Sequence, residues 1–389
     1  MNEKIRNMEA AALRIKEAVT KGEQIIVYGD SDMDGVSSVV ILEEAINNLA
    51  SILKQKISKI IIAFPDRNKE GYGLNDKALA FLDKKRGSKK SLLITVDCGI
   101  TNIKEVKQAK KLGFDVIICD HHKVLEEIPE ADIIVDPKHP EDNYYFKEYC
   151  NAGLAFKLAE ELLQENMSSY LKDTFIELVM LATIADMMPE EEENQKWIYE
   201  GLANLDKTQR PAILALKDVF TSYSSKRDFV GKMISVFNTV RMKDHRVITY
   251  DFMKSTDIEE AKKIAPILIQ DTEERQAEIK ALTENLKEDL MMDQSTIIFK
   301  GSDKYRIDYL GAVASRLVGW FDRPVFLYAT KGGLSRGTVR VPKGMDAVKA
   351  MTSCKDFLVT YGGHAPAAGF TVKNENLEKF REGLIKYFK

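Results

Sequence analysis

The stretch Val27-Tyr28-Gly29-Asp30-Ser31-Asp32-Met33-Asp34-Gly35-Val36-Ser37-Ser38 sets three carboxylates at alternate positions between an apolar run and a helical pattern. Gln24 to Tyr28 reads as a short buried strand and Val36 onward as a helix, which puts the aspartates on the turn at the strand's C-terminal end. In an open α/β sheet, ligands sit there. Alternate spacing in a tight turn aims two or three carboxylates at one point, and such crowding is costly unless a cation neutralises it. A hard divalent metal is one reading. The other is a solvated acidic turn, with an Asp at the helix N-cap and Gly35 supplying backbone freedom. The stretch alone leaves both open. An EF-hand fits poorly, because the helix begins before the twelfth-position Glu that such a loop needs.

Working outward, 389 residues are many for one core, and two domains are the default. The chain is 44% hydrophobic and 30% charged with both signs interspersed, which reads as a soluble globular protein. A net charge of −3 argues against coating nucleic acid by charge alone, though a local basic groove stays compatible with it. Cys98, Cys119, Cys150 and Cys354 are far apart and form no metal-finger spacing, so reduced thiols in a cytoplasmic protein are the simple reading. The opening Met1–Thr20 is amphipathic, with Ile5, Met8, Ala12, Ile15 and Val19 at helical spacing, and lacks the apolar core of a signal peptide. No apolar run approaches membrane-spanning length, so no membrane partner is expected.

Other strand ends repeat the pattern. After a helix from about Gly35 to Leu53, a strand Lys59–Phe64 ends in the loop Pro65 to Leu74, which carries Arg67, Gly71 and Gly73. A strand Ser91–Val96 delivers Asp97-Cys98-Gly99-Ile100, a helix Asn102–Leu112 follows, and a strand Asp115–Cys119 delivers Asp120-His121-His122. Strand, helix, strand, helix at this spacing predicts a parallel, doubly wound α/β sheet. One edge then collects Asp30, Asp32, Asp34, Asp97, Asp120, His121 and His122. Carboxylates and paired histidines at three strand ends are hard to explain as helix caps and favour a metal cluster.

Beyond a short strand Asp132–Pro137, a helix opens at Asn151-Ala152-Gly153, and an apolar helix Phe175–Ile184 ends at Asp186. As a ligand or as a cap, Asp186 reads equally well. The pattern from Glu190 to Arg241 is helical and charged, and Asp257–Met292 reads as one long helix able to bridge two domains. A second, smaller α/β unit begins at Ser295, with a helix Leu310–Phe321, strands Pro324–Tyr328 and Ser335–Val341 about Gly332-Gly333, and a helix Met345–Met351. It closes on Tyr361-Gly362-Gly363-His364-Ala365-Pro366, where amides and an imidazole suit an anion, or where the chain simply turns before a last strand.

Seven motifs in this order resemble the DHH phosphoesterase superfamily, and within it RecJ-type single-strand exonucleases: Asp30 to Gly35, the Pro65–Leu74 loop, Val96 to Ile100, Asp120-His121-His122, Asn151-Ala152-Gly153, Ala185-Asp186-Met187-Met188-Pro189 and Gly362-Gly363-His364. The resemblance covers nearly the whole chain. It implies a DHH catalytic domain over 1–205, a helical connector over 206–292 and a DHH-associated C-terminal substrate-binding domain over 293–389. It further implies two Mn²⁺ or Mg²⁺ ions held by Asp30, Asp32, Asp34, Asp97, His121 and Asp186, with Asp97 between both, and Asp120 and His122 orienting ligands or touching the phosphate. Arg336, His364 and the Gly362 and Gly363 amides would hold a phosphate of the strand, helped by Asn151 and Arg67. The implied activity is 5′→3′ hydrolysis of single-stranded DNA to 5′-mononucleotides. RNA or short oligonucleotides, including cyclic dinucleotides, are the alternative substrates, and an inactive replication or repair scaffold is the non-enzymatic one.

Departures from the pattern fall on the substrate side. The segment Phe237-Asn238-Thr239-Val240-Arg241-Met242 keeps the family's Asn and Arg and loses its glycine, a His-x-Gly is replaced around Ile307–Gly311, and the serine-glycine-arginine reads Ser335-Arg336-Gly337. No appended OB-fold is expected after the C-terminal unit, which predicts weaker strand binding, shorter substrates, or a single-strand-binding or replication protein that presents the DNA.

Overall fold

The computed structural model describes residues 4–67, 69–125, 127–239 and 241–389. Asn68 of the Gly-rich loop, Val240 of the Asn-Thr-Val-Arg segment and the first three residues of the opening helix pattern lie outside these. The chain divides into two compact units: one takes in the chain up to Asp66 and Tyr72–Thr272, the other Arg67–Gly71 and Glu273–Lys389.

The first unit runs α1 (Met8–Lys21), β1 (Gln24–Gly29), α2 (Met33–Ile52), β2 (Ile61–Ala63), α3 (Asp76–Arg86), β3 (Ser91–Val96), α4 (Ile103–Lys111), β4 (Phe114–Cys119), β5 (Ile133–Val135), α5 (Asn151–Leu163) and α6 (Ser169–Ala185). All five strands are parallel, in the order β2-β1-β3-β4-β5. Alternation along the strands sends side chains to two cores. Ile25 and Val27 join the apolar faces of α1, α2, α5 and α6, whereas Ile26 and Tyr28 join α3 and α4. The expected doubly wound sheet is therefore present. Because β1 connects outward to β2 while β3 lies on its other side, the order reverses at β1 and β3, and their C-terminal ends form the crevice where such folds bind ligands.

Element ends differ from the sequence reading for local reasons. β2 is shorter than Lys59–Phe64 because it is an edge strand, paired on one side only. α6 starts at Ser169, before the apolar run, because Ser168 caps it by accepting from Leu171 N at 3.1 Å. The charged stretch after Glu190 breaks into α7 (Glu192–Asn204), α8 (Pro211–Val219) and α9 (Lys226–Phe237), with Pro211 opening α8 and Ser225 capping α9. A small hairpin, β6 (Met242–Lys243) and β7 (Arg246–Val247), and α10 (Ile248–Met253) are too short to show a periodicity. α11 (Ile258–Leu290) is the long helix expected, and the division between units falls within it. Among the described residues no helix is long and apolar enough to cross a membrane.

The second unit continues with β8 (Ile298–Ser302), α12 (Ile307–Phe321), β9 (Val325–Lys331), β10 (Leu334–Arg340), α13 (Ala347–Thr352), β11 (Leu358–His364), β12 (Ala367–Lys373) and α14 (Leu377–Phe388). Its sheet, ordered β11-β12-β10-β9-β8, is mixed: β8 and β9 are parallel, the other pairs antiparallel. Ile279, Leu286 and Leu290 of α11 pack with Leu310, Val313 and Leu317 of α12 over Val325 and Leu327. Two expectations change here. Gly362-Gly363-His364 lies in strand β11, with the turn following at Ala365-Pro366, and α14 closes the unit where the sequence reading had no helix.

Candidate metal centre

The acidic turn leaves β1 with Asp30, and Asp32 caps α2 through one oxygen, which accepts from Asp34 N and Gly35 N at 3.1 Å each. Gly35 is required there: a Cβ would stand 2.2 Å from the Asp30 carbonyl oxygen. Asp34, buried, accepts from Asn151 N and Ala152 N at 2.7 Å each, so it caps α5, whose own N-cap Cys150 makes no side-chain capping bond. The partial positive charge of that helix end favours a carboxylate.

Asp97 follows β3 in a left-handed conformation, φ 59°, rare for a residue other than glycine. Asn151 holds it: the amide oxygen accepts from Asp97 N at 2.9 Å and the amide nitrogen donates to Cys119 O at 2.9 Å. Asn151, expected to help bind a phosphate, is fully buried and spends its side chain on the backbone beneath the centre.

At the end of β4, Asp120 accepts from His121 N at 2.8 Å, His122 N at 3.1 Å and His122 Nδ1 at 2.8 Å through one oxygen, and from Ile100 N at 3.0 Å through the other. That saturation makes it an orienting group. His121 Nδ1 donates to Tyr149 O at 2.7 Å, which fixes the tautomer and leaves the Nε2 lone pair 3.1 Å from Asp97, 3.6 Å from Asp34 and 3.8 Å from Asp186. Burial, with the neighbouring His122 and Lys138 charges, lowers the His121 pKa to about 3, so the ring is neutral. A lone pair facing three carboxylates is repulsive unless a cation stands among them.

The carboxylates say the same. Burial first, then Asp186 and Asp32, push Asp34 well above the usual range, and burial with Asp34, Asp32, Asp30 and Asp186 does so for Asp97. Asp120 goes the other way: burial raises it, but the charge of His122 and its hydrogen bond outweigh that and hold it low. Burial lowers His122, yet Asp120 more than offsets this and raises it to about 9.

Among the described residues of the first unit, three sets offer one ligand atom per residue with all atoms within 4.8 Å: Asp34, His121 and Asp186; Asp97, Asp120 and His122; Asp30, Asp32 and Asp97. Asp97, shared by two sets, is the hinge between them. An oxygen-rich donor set with one or two imidazoles suits Mn²⁺ and Mg²⁺, so these residues fit divalent cations.

Sequence reasoning passed over Asp136, buried at the end of β5, whose pKa burial and Asp120 raise to about 8. Its position directly after a strand was the signal. The Tyr149 carbonyl and the Asn238 side chain, which accepts from Met33 N at 3.0 Å, also support the site, and a backbone carbonyl leaves no mark in a sequence.

The remaining expected residues belong to the second unit, which takes in Arg67. There the Arg336 guanidinium passes 3.6 Å from where a Cβ of Gly71 would be. Gly363, φ 138°, lies against Ala367 O across the β11–β12 pair, where a side chain would meet that oxygen at 2.6 Å, and Gly362 pairs with Gly369. His364 ends this edge strand opposite Ala367.

Comparison with known proteins matches two separate stretches of the chain. The DHH family, N-terminal domain, matches residues 24–183 and the DHHA1 domain matches residues 293–389. The single-stranded-DNA-specific exonuclease RecJ of Bacillus subtilis is 34% identical over 98% of this chain, and that of Thermus thermophilus 30% identical over 97%. The chain spans 47% and 54% of their lengths, about half of each. A crystal structure of exonuclease RecJ bound to manganese superimposes with a TM-score of 0.76 at 26% identity, over 99% of this chain and 95% of that one.

Proposed function

Because this chain belongs to the DHH family, we propose that it is a divalent-metal-dependent phosphodiesterase, acting as a 5′→3′ exonuclease on single-stranded DNA and releasing 5′-mononucleotides. The observation that carries the reading is the neutral His121 Nε2 directed at Asp97, Asp34 and Asp186 in a buried, carboxylate-rich centre. Asp30, Asp32, Asp34, Asp97, His121 and Asp186 would hold two ions, Mn²⁺ or Mg²⁺. Two bound ions supply a water of lowered pKa and neutralise charge developing on the phosphate.

The chain's own groups do the rest. Asp120 fixes both histidine backbones and the His122 ring, and His122 would touch the scissile phosphate. Asn151 keeps Asp97 in its left-handed conformation. Arg67, Arg336, His364 and the amides of Gly362 and Gly363 would bind phosphates of the strand, guanidinium groups doing so through paired N–H donors. Single-stranded DNA as substrate is supported by the relatives, which are single-stranded-DNA-specific exonucleases, and Mn²⁺ by the manganese-bound RecJ structure.

One strand labelled at the 5′ end, and the same strand labelled at the 3′ end, are digested with Mn²⁺ over time. Immediate release of the 5′ label as a mononucleotide, with progressive shortening of the 3′-labelled strand, is expected. Survival of long strands with cleavage of dinucleotides would replace the reading by a short-oligonucleotide phosphodiesterase.

A further inference from the structure

Of the two tryptophans, Trp197 is core, 5% exposed and packed on Tyr149 and Phe156 with ring centroids 5.5 and 5.7 Å away. Trp320, the other, is 46% exposed. It stands near the end of α12, and an open cleft of about 490 Å³ lies against it, lined by Lys280, Thr283, Glu284, Arg316 and Gly319 as well. Spacing explains the lining. Lys280, Thr283, Glu284 and Lys287 fall at intervals of three and four on α11, and Arg316, Gly319 and Trp320 do so on α12, so each helix presents one stripe.

Nothing lies within 4 Å of where a Gly319 side chain would begin, which leaves the floor beside the indole open. Lys287 Nζ stands 4.0 Å from the ring centroid and steadies the indole by a cation–π contact. Arg316 touches Gln276 at 3.4 Å, and among the described residues no carboxylate pairs with Lys280, Lys287 or Arg316. Glu284 is the one acid in the lining. A second cleft of similar size, on the first unit, is lined by Lys21, Gly22, Glu23, Lys89 and Lys90, but it has no aromatic ring, and Lys90 is engaged with Glu23 and Asp115.

We propose that the cleft between α11 and α12 is a docking site for single-stranded nucleic acid, in which Trp320, steadied by Lys287, stacks a base while Lys280 and Arg316 meet the flanking phosphates. An exposed aromatic face beside unpaired cations is the pairing that sequence-tolerant strand binding uses. The cleft holds none of the residues assigned above to the phosphate site. The inference rests on the reading of the chain as a single-strand nuclease. It adds a second contact along the strand, one that makes affinity depend on strand length.

The test is tryptophan emission and anisotropy of the full chain with a thymidine oligonucleotide of roughly 16 nucleotides, the upper site size of stacking grooves, in EDTA so that nothing is cut. Wild-type emission should be quenched on binding, Trp320→Ala should weaken the affinity roughly 5- to 100-fold, and Trp320→Phe should keep most of it. The pair Lys280→Glu with Arg316→Glu should flatten the salt dependence. Equal affinity of wild type and Trp320→Ala overturns the cleft and leaves the nuclease reading standing. Failure of the wild type to bind any strand overturns the reading itself. Quenching by an acidic peptide and not by the oligonucleotide assigns the cleft to a protein tail and overturns the proposal.

Discussion

Replacing Asn151 by Ala removes a side chain that touches no ligand position and should nevertheless weaken the metal centre. Its amide holds Asp97 N and Cys119 O at 2.9 Å each, in a fully buried place. These two neutral hydrogen bonds and a third, which the amide oxygen accepts from Ser38 Oγ at 3.0 Å, contribute about 1 kcal/mol each, and the truncated volume adds about 1 kcal/mol more. Asp97 N also reaches Cys119 O at 3.1 Å, which limits the desolvation left behind. Unfolding free energy should therefore fall by about 2–4 kcal/mol, read from urea midpoints at constant m. The backbone bonds of residues 151 and 152 to Asp34 survive the substitution, so α5 stays capped. What is lost is the restraint on the left-handed Asp97. Loss of a group that orients a ligand lowers metal affinity about 10- to 100-fold, which a calorimetric Mn²⁺ titration resolves. Asn151→Asp keeps an acceptor for Asp97 N but adds a charge to a crowd of carboxylates, and should be worse in stability. Unchanged Mn²⁺ affinity in Asn151→Ala, with only the stability loss, would refute the positioning role and leave a packing residue.

Asp97→Asn should lower turnover by at least about 10³-fold while making the ion-free protein more stable by about 1–3 kcal/mol, because one of several mutually repelling buried charges is gone. Mn²⁺ at about a hundred times its dissociation constant should stabilise the wild type by about 2.7 kcal/mol and the variant much less. Melting curves with and without the ion check both, and a variant no more stable than wild type in EDTA would count against the crowded-carboxylate picture. Glu177, 2% exposed and accepting from Thr208 Oγ1 at 2.9 Å, is raised to about 7 by burial. Its unfolded pKa is about 4.3, so the folded state holds the extra proton between these values, and stability should fall as pH rises from about 4.5 to 7. Glu177→Gln should remove that dependence and add about 1–3 kcal/mol at pH 8. Denaturant midpoints at pH 5 and pH 8 measure it, and parallel changes in both proteins would exclude Glu177 as the source.

The strand-end motifs were legible because strand ends in a parallel sheet converge by topology alone. Asp30, Asp97 and Asp120 each follow a run of apolar residues, and period and length suffice to place them on one edge. Element starts set by a cap, such as Ser168 before α6, or by pairing on one side, such as β2, were misjudged by several residues, since an apolar run marks only the buried part of an element. The glycine-glycine-histidine was open to two readings, an anion site or a turn, and it lies in a strand, because a glycine chosen for close cross-strand approach to Ala367 looks the same in sequence as one chosen for a bend.

By itself, then, the sequence determined the alternation of strands and helices, the long α11 and the identity of the acidic and imidazole groups, all of which are local in the chain. The roles within the centre were decided by tertiary structure. That Asp34 caps a helix more than a hundred residues away, that Asn151 faces backbone and not substrate, and that His121 is neutral with Nε2 aimed at three carboxylates all depend on contacts between distant segments. A side chain's hydrogen-bond partners and desolvation are properties of the space around it, and no spacing along the chain encodes them.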